Sequence, residues 1–203
     1  MNKKTIYSIV GGVVGLGLIV ALALSIANEQ EVDDSIGFRP VEVTGAPLPL
    51  FDPTAADPTV GLEAPTAVGT DWNDVETTIQ ADGRSKIVMF LAHWCSHCQA
   101  EVPVVQAWVD GGNLPDNVDL YSVTTSTDRL RPNWPPQDWL EEEGWTAPVI
   151  MDDQIGTVAG SFGMSGTPFY VVLDGENRVI RRVSGEIGIA GLDALAAEAA
   201  AAS

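Results

Sequence analysis

The only two cysteines of the chain lie three residues apart, in the stretch His93-Trp94-Cys95-Ser96-His97-Cys98. The stretch follows an apolar run over residues 86–92 and precedes a predicted helix. Thiol–disulfide exchange sites are built this way, because a thiolate at the start of a helix is stabilised by the helix dipole and by free N–H groups. The sequence therefore predicts a dithiol that exchanges disulfides.

The place of each cysteine predicts its role in that exchange. Cys95 comes where the strand ends and the helix begins, so we expect it to be the attacking thiol. Cys98 comes one helical turn later and is expected to be more buried. It is therefore the predicted resolving thiol, which attacks the mixed disulfide and releases the product.

Other titratable side chains lie near the dithiol in the sequence. A partly charged His97 would stabilise the Cys95 thiolate and make the pair more oxidising; the alternative is a solvated residue without such a role. Glu101 follows Cys98 by three residues and shares its helix face, where it could accept or return a proton. An ordinary surface carboxylate is the alternative for Glu101. For His93 no comparable argument exists, and we expect no direct role.

Two other kinds of chemistry fit the same stretch less well. His93, Cys95, His97 and Cys98 are four soft ligands that could attract Cu(I) or Zn(II). Consecutive side chains at a helix start point in different directions, however, and a closed four-ligand site is hard to build from them. A peroxiredoxin-like peroxidase is the other alternative, although that chemistry usually relies on a lone peroxidatic cysteine.

The composition narrows the classes of partner. The chain has 203 residues, with 10 Lys and Arg against 28 Asp and Glu, and a formal net charge of −18. Such a charge repels phosphate backbones, so we expect no nucleic-acid binding. It is interpreted as an adaptation for solubility or salt, with an acidic docking face as the alternative.

The first 60 residues are predicted to hold no part of the catalytic domain. Residues 1–5 form a short basic head, and residues 6–27 are uncharged and long enough to cross a hydrocarbon core of about 30 Å. We expect a single-pass cell-membrane anchor with everything after it outside the cytoplasm; a cleaved signal peptide is the alternative. Residues 28–60 are acidic and Pro-rich, which predicts an extended linker.

Residues 61–203 alternate between strand and helix patterns, which predicts an α/β domain with a mixed central sheet flanked by helices. The four-residue segment Asp174-Gly175-Glu176-Asn177 predicts a hairpin turn between the last two predicted strands. A short edge strand over 41–43 is also predicted. The predicted strands are 86–92, 118–124, 148–151, 169–173 and 179–183, and the predicted helices are 71–81, 95–109, 137–143, 154–162 and 192–202.

Two motifs in this domain resemble those of a known family. Residues 94–103, Trp-Cys-Ser-His-Cys-Gln-Ala-Glu-Val-Pro, are similar to the W-C-x-x-C-x-x-E-x-P stretch of the thioredoxin superfamily. Residues 162–169, Phe-Gly-Met-Ser-Gly-Thr-Pro-Phe, are similar to its G-T-P segment. Together, behind an anchor, they resemble the membrane-anchored TlpA/ResA-like disulfide reductases over roughly residues 60–203.

The resemblance implies a thioredoxin fold behind an N-terminal transmembrane helix. It implies that Cys95 is the nucleophile, that Cys98 resolves, that Pro168 follows a cis peptide bond and that Glu101 is an active-site acid. It implies no cofactor and no metal besides the redox-active disulfide. The implied partners are protein thiols and disulfides and a membrane electron donor of the thioredoxin-reducing type.

The same resemblance leaves the direction of electron flow open. Trp94 and Thr167 are also predicted to bind substrate, since a cis Thr167–Pro168 bond would expose backbone groups that could pair with an extended segment. Reducing members often carry proline before the second cysteine, whereas His97 is similar to the residue of strongly oxidising members. Apocytochrome c reduction and general disulfide formation are thus both candidate roles. Residues 134–145 form an added segment, interpreted as core and loop, with a substrate groove as the alternative.

Overall fold

The computed structural model describes residues 34–202. Within that range the chain forms eight strands, four α-helices and a 3-10 helix over Asp34–Gly37. The strands are β1 (Glu42–Thr44), β2 (Thr66–Thr70), β3 (Glu76–Ile79), β4 (Ser85–Leu91), β5 (Val118–Thr124), β6 (Val149–Met151), β7 (Phe169–Leu173) and β8 (Val179–Ser184). The helices are α1 (Ser96–Asp110), α2 (Pro136–Glu142), α3 (Thr157–Ser161) and α4 (Gly188–Ala201).

Five strands form a mixed central sheet in the order β6-β5-β4-β7-β8. Strands β4, β5 and β6 are parallel, and β7 and β8 are antiparallel to their neighbours. Strand β4 lies at the centre and every one of its residues is buried, as a near-continuous apolar run predicts for a strand covered on both faces. The predicted strands and the predicted hairpin of the central sheet are confirmed within a residue or two.

The two faces of the central sheet are covered differently. Alternate residues of β4 point to opposite faces, as in any strand. Ile87, Met89 and Leu91 pack in one core cluster with residues of α1, α2 and α4. Val88 and Phe90 pack in a second cluster with residues of α3 and of a small antiparallel sheet, β1-β2-β3. Helices thus cover one face, and the small sheet supplies much of the cover on the other.

The predicted helix over 71–81 is wrong, because this segment holds a turn and strand β3. The Asp71 carboxylate accepts hydrogen bonds from the N–H groups of Asn73 at 2.7 Å and Val75 at 2.9 Å. Asp74 adopts a left-handed conformation with φ of 60°. The side chain expected to begin a helix therefore closes a tight turn instead, and the β-branched residues after it pair with β2.

The extended linker predicted for residues 28–60 is wrong for residues 34–60, which pack on the domain. Strand β1 pairs with β2, and the predicted edge strand over 41–43 is confirmed within one residue. The N–H of Leu48 donates to the Ser161 carbonyl at 2.8 Å, and that of Phe51 donates to the Gly163 carbonyl at 2.9 Å. Prolines prevent a regular period here, but N–H groups between them still bond to the domain.

The predicted head and anchor, residues 1–27, lie outside the described residues, as do linker residues 28–33. Among residues 34–202, none of the helices has the length and apolar character that a membrane span requires.

Candidate active site

Cys95 is the N-cap residue of helix α1, at the point where the chain leaves the central strand. Its N–H donates to the carbonyl of Ala92 at 3.0 Å, which closes the turn between β4 and α1. Its Sγ lies 3.3 Å from the carbonyl oxygen of Thr167. The residue is 9% exposed, so the sulfur lies just beneath the surface at a helix N-terminus, where negative charge is stabilised.

The surroundings of Cys95 favour its thiolate. Burial raises the pKa of this thiol, but hydrogen bonds from the Thr167 side chain and from the N–H groups of Cys98 and His97 outweigh burial. The pKa of Cys95 therefore lies below its ordinary value. Because the thiolate is the nucleophile in disulfide exchange, Cys95 is the sulfur prepared to attack.

The surroundings of Cys98 favour its protonated thiol. Its side chain is fully buried, and burial raises its pKa to about 12 although a backbone hydrogen bond from Ala92 lowers it. The Ala92 N–H lies 3.5 Å from the Cys98 Sγ. The two cysteines, both free thiols in this structure, thus differ in the way that an attacking and a resolving thiol require.

Glu101 is a buried carboxylate one turn beyond Cys98, and the alternative of a surface position is wrong. Its Oε1 accepts hydrogen bonds from the Tyr170 hydroxyl at 3.0 Å and from the N–H groups of Ile187 at 3.0 Å and Gly188 at 3.1 Å. These donors come from β7 and from the start of α4. They hold the carboxylate one helical turn from Cys98 and on the same face of α1.

Thr167 and Pro168 approach the dithiol from the strand beside β4. The Thr167–Pro168 peptide bond is cis, as the resemblance implied. Strand β7 begins directly after it and pairs with β4 in antiparallel register. This pairing brings the Thr167 carbonyl to the Cys95 sulfur across 72 positions of sequence.

His97 points outward and pairs with the carboxylate of Glu186. Its side chain is 69% exposed. The hydrogen bond and the charge of Glu186 raise the pKa of His97, with a smaller contribution from Cys95. The charge of a protonated His97 is therefore stabilised mainly by Glu186, a residue that the sequence did not suggest, and to a smaller extent by Cys95.

Trp94 and His93, the residues before Cys95, contact the loop after β5. Trp94 donates its indole N–H to the Ser126 carbonyl at 2.7 Å. His93 is buried, and both of its ring nitrogens lie within hydrogen-bond distance of the same loop. Burial lowers the pKa of His93.

The four candidate metal ligands do not point toward a common position; they are His93, Cys95, His97 and Cys98. The ring nitrogens of His93 are taken by the loop after β5, and His97 is paired with Glu186. No group of three or more metal-ligating side chains occurs among residues 34–202. This geometry argues against the copper or zinc alternative.

The structure brings the predicted site residues together around the end of β4, and adds two that the sequence reasoning missed. Tyr170 and Glu186 are the partners of Glu101 and His97. Tyr170 could have been found, because it follows the proline motif by two residues and faces the same side of the sheet. Nothing in the sequence pattern near Glu186 points to His97, which is 89 residues away.

Comparison with known proteins agrees with this geometry. The Redoxin family model matches residues 46–194. Two curated relatives are the thiol:disulfide interchange protein DsbE homolog of Paracoccus denitrificans, 28% identical over 50% of this chain and 51% of the relative, and HelX of Rhodobacter capsulatus, 27% identical over 52% and 55%. The chain thus spans about half the length of the curated relatives it matches.

Solved structures share the fold. StoA from Bacillus subtilis is 19% identical, with a TM-score of 0.55 over 68% of this chain and 98% of its own. DsbF from Mycobacterium tuberculosis is 22% identical, with a TM-score of 0.53 over 64% of this chain and 92% of its own. At these identities the likeness extends to the thioredoxin-like α/β fold alone. On the extent of the family match, the chain belongs to the Redoxin family.

Proposed function

We propose that this protein is an extracytoplasmic protein-disulfide oxidoreductase that works through the Cys95–Cys98 dithiol. The observation that carries the proposal is the contrast between the two thiols. Cys95 has a pKa below its ordinary value at a helix N-terminus, whereas burial raises that of Cys98 to about 12. The two curated relatives, both named thiol:disulfide interchange proteins, support it.

The reductive cycle begins at Cys95. Its thiolate attacks one sulfur of a substrate disulfide, a Cys95–substrate bond forms, and the other substrate sulfur leaves as a thiolate and takes up a proton. Cys98 then loses its proton and attacks the Cys95 sulfur. This step forms the Cys95–Cys98 disulfide and releases the second substrate sulfur as a thiol. Two electrons have passed to the substrate, and the reverse order of steps oxidises it.

Glu101 is the proposed acceptor for the proton of Cys98. A thiol with a pKa of about 12 cannot attack at neutral pH unless its proton is removed. Glu101 is the buried carboxylate one turn away, held by three donors. It thus assists the resolving step rather than the first attack.

Thr167 and Pro168 are proposed to bind the substrate backbone next to the attacked sulfur. The Thr167 carbonyl already lies at the Cys95 Sγ, and an extended substrate segment could pair there. Trp94, beside Cys95, would contact the same segment. Glu186 pairs with the charge of His97 and so weakens the stabilisation of the Cys95 thiolate by that charge. A less stabilised thiolate makes the dithiol less oxidising, which favours the reducing direction.

The membrane context is also a proposal, because it rests on the sequence pattern of residues 1–27. We propose that residues 6–27 anchor the protein and that a membrane donor of the thioredoxin-reducing type re-reduces the dithiol. Apocytochrome c is the proposed substrate, as the resemblance to TlpA/ResA-like reductases suggests. Protease digestion of intact and of lysed spheroplasts tests the topology: protection of the domain in intact spheroplasts would contradict it.

Insulin reduction tests the proposed activity. With dithiothreitol as reductant, the wild-type protein should accelerate precipitation of the insulin B chain, and Cys95→Ser should abolish the acceleration. Ser165→Ala, at an exposed residue just before the Thr167 segment, serves as the control and should keep the activity. Full acceleration by Cys95→Ser would refute the proposal.

A further inference from the structure

His93 is bonded on both sides of its ring to a single loop, residues 126–133, which we call the rim loop. Its Nδ1 lies 2.7 Å from the Pro132 carbonyl oxygen, and its Nε2 lies 3.1 Å from the Asp128 nitrogen. A carbonyl can only accept and a backbone N–H can only donate. The proton must therefore sit on Nδ1, and the imidazole is neutral.

The rim loop makes three more contacts with the two residues that precede Cys95. The Trp94 indole donates to the Ser126 carbonyl at 2.7 Å, and the Arg131 guanidinium lies 4.5 Å from the centre of the Trp94 ring. The Asn133 amide donates to the His93 carbonyl at 3.2 Å. Nearly the whole length of the rim loop is thus attached at the start of the active-site helix.

Trp134, the residue that follows the rim loop, is packed against the body of the domain. The Trp134 ring lies edge-on to His93, with centroids 5.9 Å apart. It also covers Gly37, where an added Cβ would come within 2.4 Å of the ring. Ser126 and Asn133, the two ends of the loop, both adopt left-handed conformations. These features fix where the loop presents its outer residues.

The tip of the rim loop carries one apolar side chain between two exposed arginines, Arg129 and Arg131. Leu130 is 87% exposed, with Arg131 beside it on Trp94. Within residues 34–202, Leu130 is among the most exposed large hydrophobic side chains, and it lies in a loop that is bonded to Trp94. Because Trp94 directly precedes Cys95 and contacts both Ser126 and Arg131, the rim loop borders the place that a substrate bonded to Cys95 would occupy.

We propose that the rim loop is a docking site for protein substrates and that His93 is the residue that positions it. The partner is an extended segment of a thiol- or disulfide-bearing protein, with an apolar side chain near its cysteine that contacts Leu130. This inference rests on the proposed function and deepens it, because it adds a specificity element to the same site.

Comparison of a protein and a small disulfide tests the docking role. The assay uses the full chain, insulin and bis(2-hydroxyethyl) disulfide. Leu130→Ser should raise KM for insulin about tenfold, since much of one buried leucine contact is lost. It should leave the rate with the small disulfide unchanged. Val60→Ser, at another exposed apolar residue beside Gly61, whose N–H bonds to Val179 at the start of β8, is the matched control and should change neither.

His93 is tested by the same split between substrates. His93→Leu removes both ring hydrogen bonds, whereas His93→Gln keeps an amide that can make one of them. Catalytic efficiency on insulin should therefore fall in the order wild type, His93→Gln, His93→Leu, through KM. The rate with the small disulfide should stay within about twofold in all three.

Two results would overturn the inference while leaving the proposed function intact. One is a Leu130→Ser variant that matches Val60→Ser on insulin. The other is a His93→Gln variant that loses insulin and small-disulfide activity equally. A wild-type protein that reduces neither disulfide would instead overturn the proposed function, so the two failures are distinguishable.

Discussion

Cys95 and Cys98 lie one helical turn apart, but opposite forces act on their thiols. Hydrogen bonds lower the pKa of Cys95 more than burial raises it, whereas burial dominates at Cys98. The consequence is that Cys95, the sulfur nearer the surface, ionises at a lower pH than Cys98 does.

The first prediction concerns the titration of these thiols. Absorbance at 240 nm should show one thiol with a pKa below the ordinary cysteine value and the other with a pKa of about 12. Cys98→Ala should keep the first transition and Cys95→Ala should remove it. A single transition of two thiols near the ordinary value would contradict the assignment.

The second prediction concerns Glu101. Glu101→Gln should slow the resolving step by about 100-fold, within the usual range for general acid–base catalysis, and should leave the first attack nearly unchanged. The mixed disulfide with Cys95 should therefore accumulate, and acid quenching followed by mass spectrometry would detect it. Tyr170→Phe keeps the carboxylate but removes one of its three donors, so it should slow the resolving step less than Glu101→Gln. Equal slowing of both steps by Glu101→Gln would argue for a structural role.

The third prediction concerns pH and His93. Burial lowers the pKa of His93 below 6.5; Pro132 and Asp128 raise it, and Arg131 lowers it further. The unfolded chain then binds a proton near 6.5 that the folded chain does not. This contribution to stability is complete above that pH and is lost as pH falls below it.

Urea unfolding between about pH 7 and about pH 5 would measure this loss. The raised pKa of exposed His97 acts in the opposite sense, so a His97→Gln background should be used. In that background the midpoint should fall with pH more steeply than in the His97→Gln, His93→Gln double variant. Identical slopes would show that His93 does not carry the effect.

At the scale of elements, the segment over residues 48–57 is held on the domain by β8 and by the turn after α3. The Arg182 guanidinium bonds to the Asp57 carboxylate at 2.8 Å and to the Pro49 and Phe162 carbonyls. Burial of Asp57 raises its pKa, but the bonds with Arg182 and Thr59 prevail and hold it at about 2. These contacts explain why an acidic, Pro-rich segment is ordered.

The fourth prediction tests how closely this segment packs. Gly163 has φ of 70°, and an added Cβ would lie 2.2 Å from the Pro49 carbonyl oxygen. Gly61, with φ of 83°, has open space around it. Gly163→Ala should therefore cost about 1–3 kcal/mol more unfolding free energy than Gly61→Ala, since both share the backbone strain and only one creates a clash. Equal losses of unfolding free energy in the two variants would mean that the segment shifts away from the added methyl group at little cost.

The elements that the sequence predicted are those whose own residues determine their structure. Strand β4 is apolar throughout and could only be a buried strand. Strands β2 and β3 could not be predicted, because Ala67, Gly69 and Thr77 show no strong alternation and their pairing comes from tertiary contacts. The same holds for the site: Cys95 and Cys98 were evident from their spacing, whereas Glu186 reaches His97 only through the fold.

At the scale of the whole molecule, the sheet topology assembles the site from distant parts of the chain. Parallel β4 and β5 end at the same edge, which places the rim loop beside Trp94. Antiparallel β7 starts at that edge, which places Thr167 at Cys95. Strands β5 and β7, the two neighbours of β4, thus each place one loop segment close to the reactive cysteine.

The central claim is that Cys95 attacks and Cys98 resolves, and trapping of the mixed disulfide tests it most directly. The full chain carrying Cys98→Ser and the chain carrying Cys95→Ser are each reacted with insulin, quenched in acid and weighed by mass spectrometry. The account predicts a rapid covalent adduct with Cys98→Ser and almost none with Cys95→Ser. An adduct that forms as fast through Cys98 as through Cys95 would contradict it.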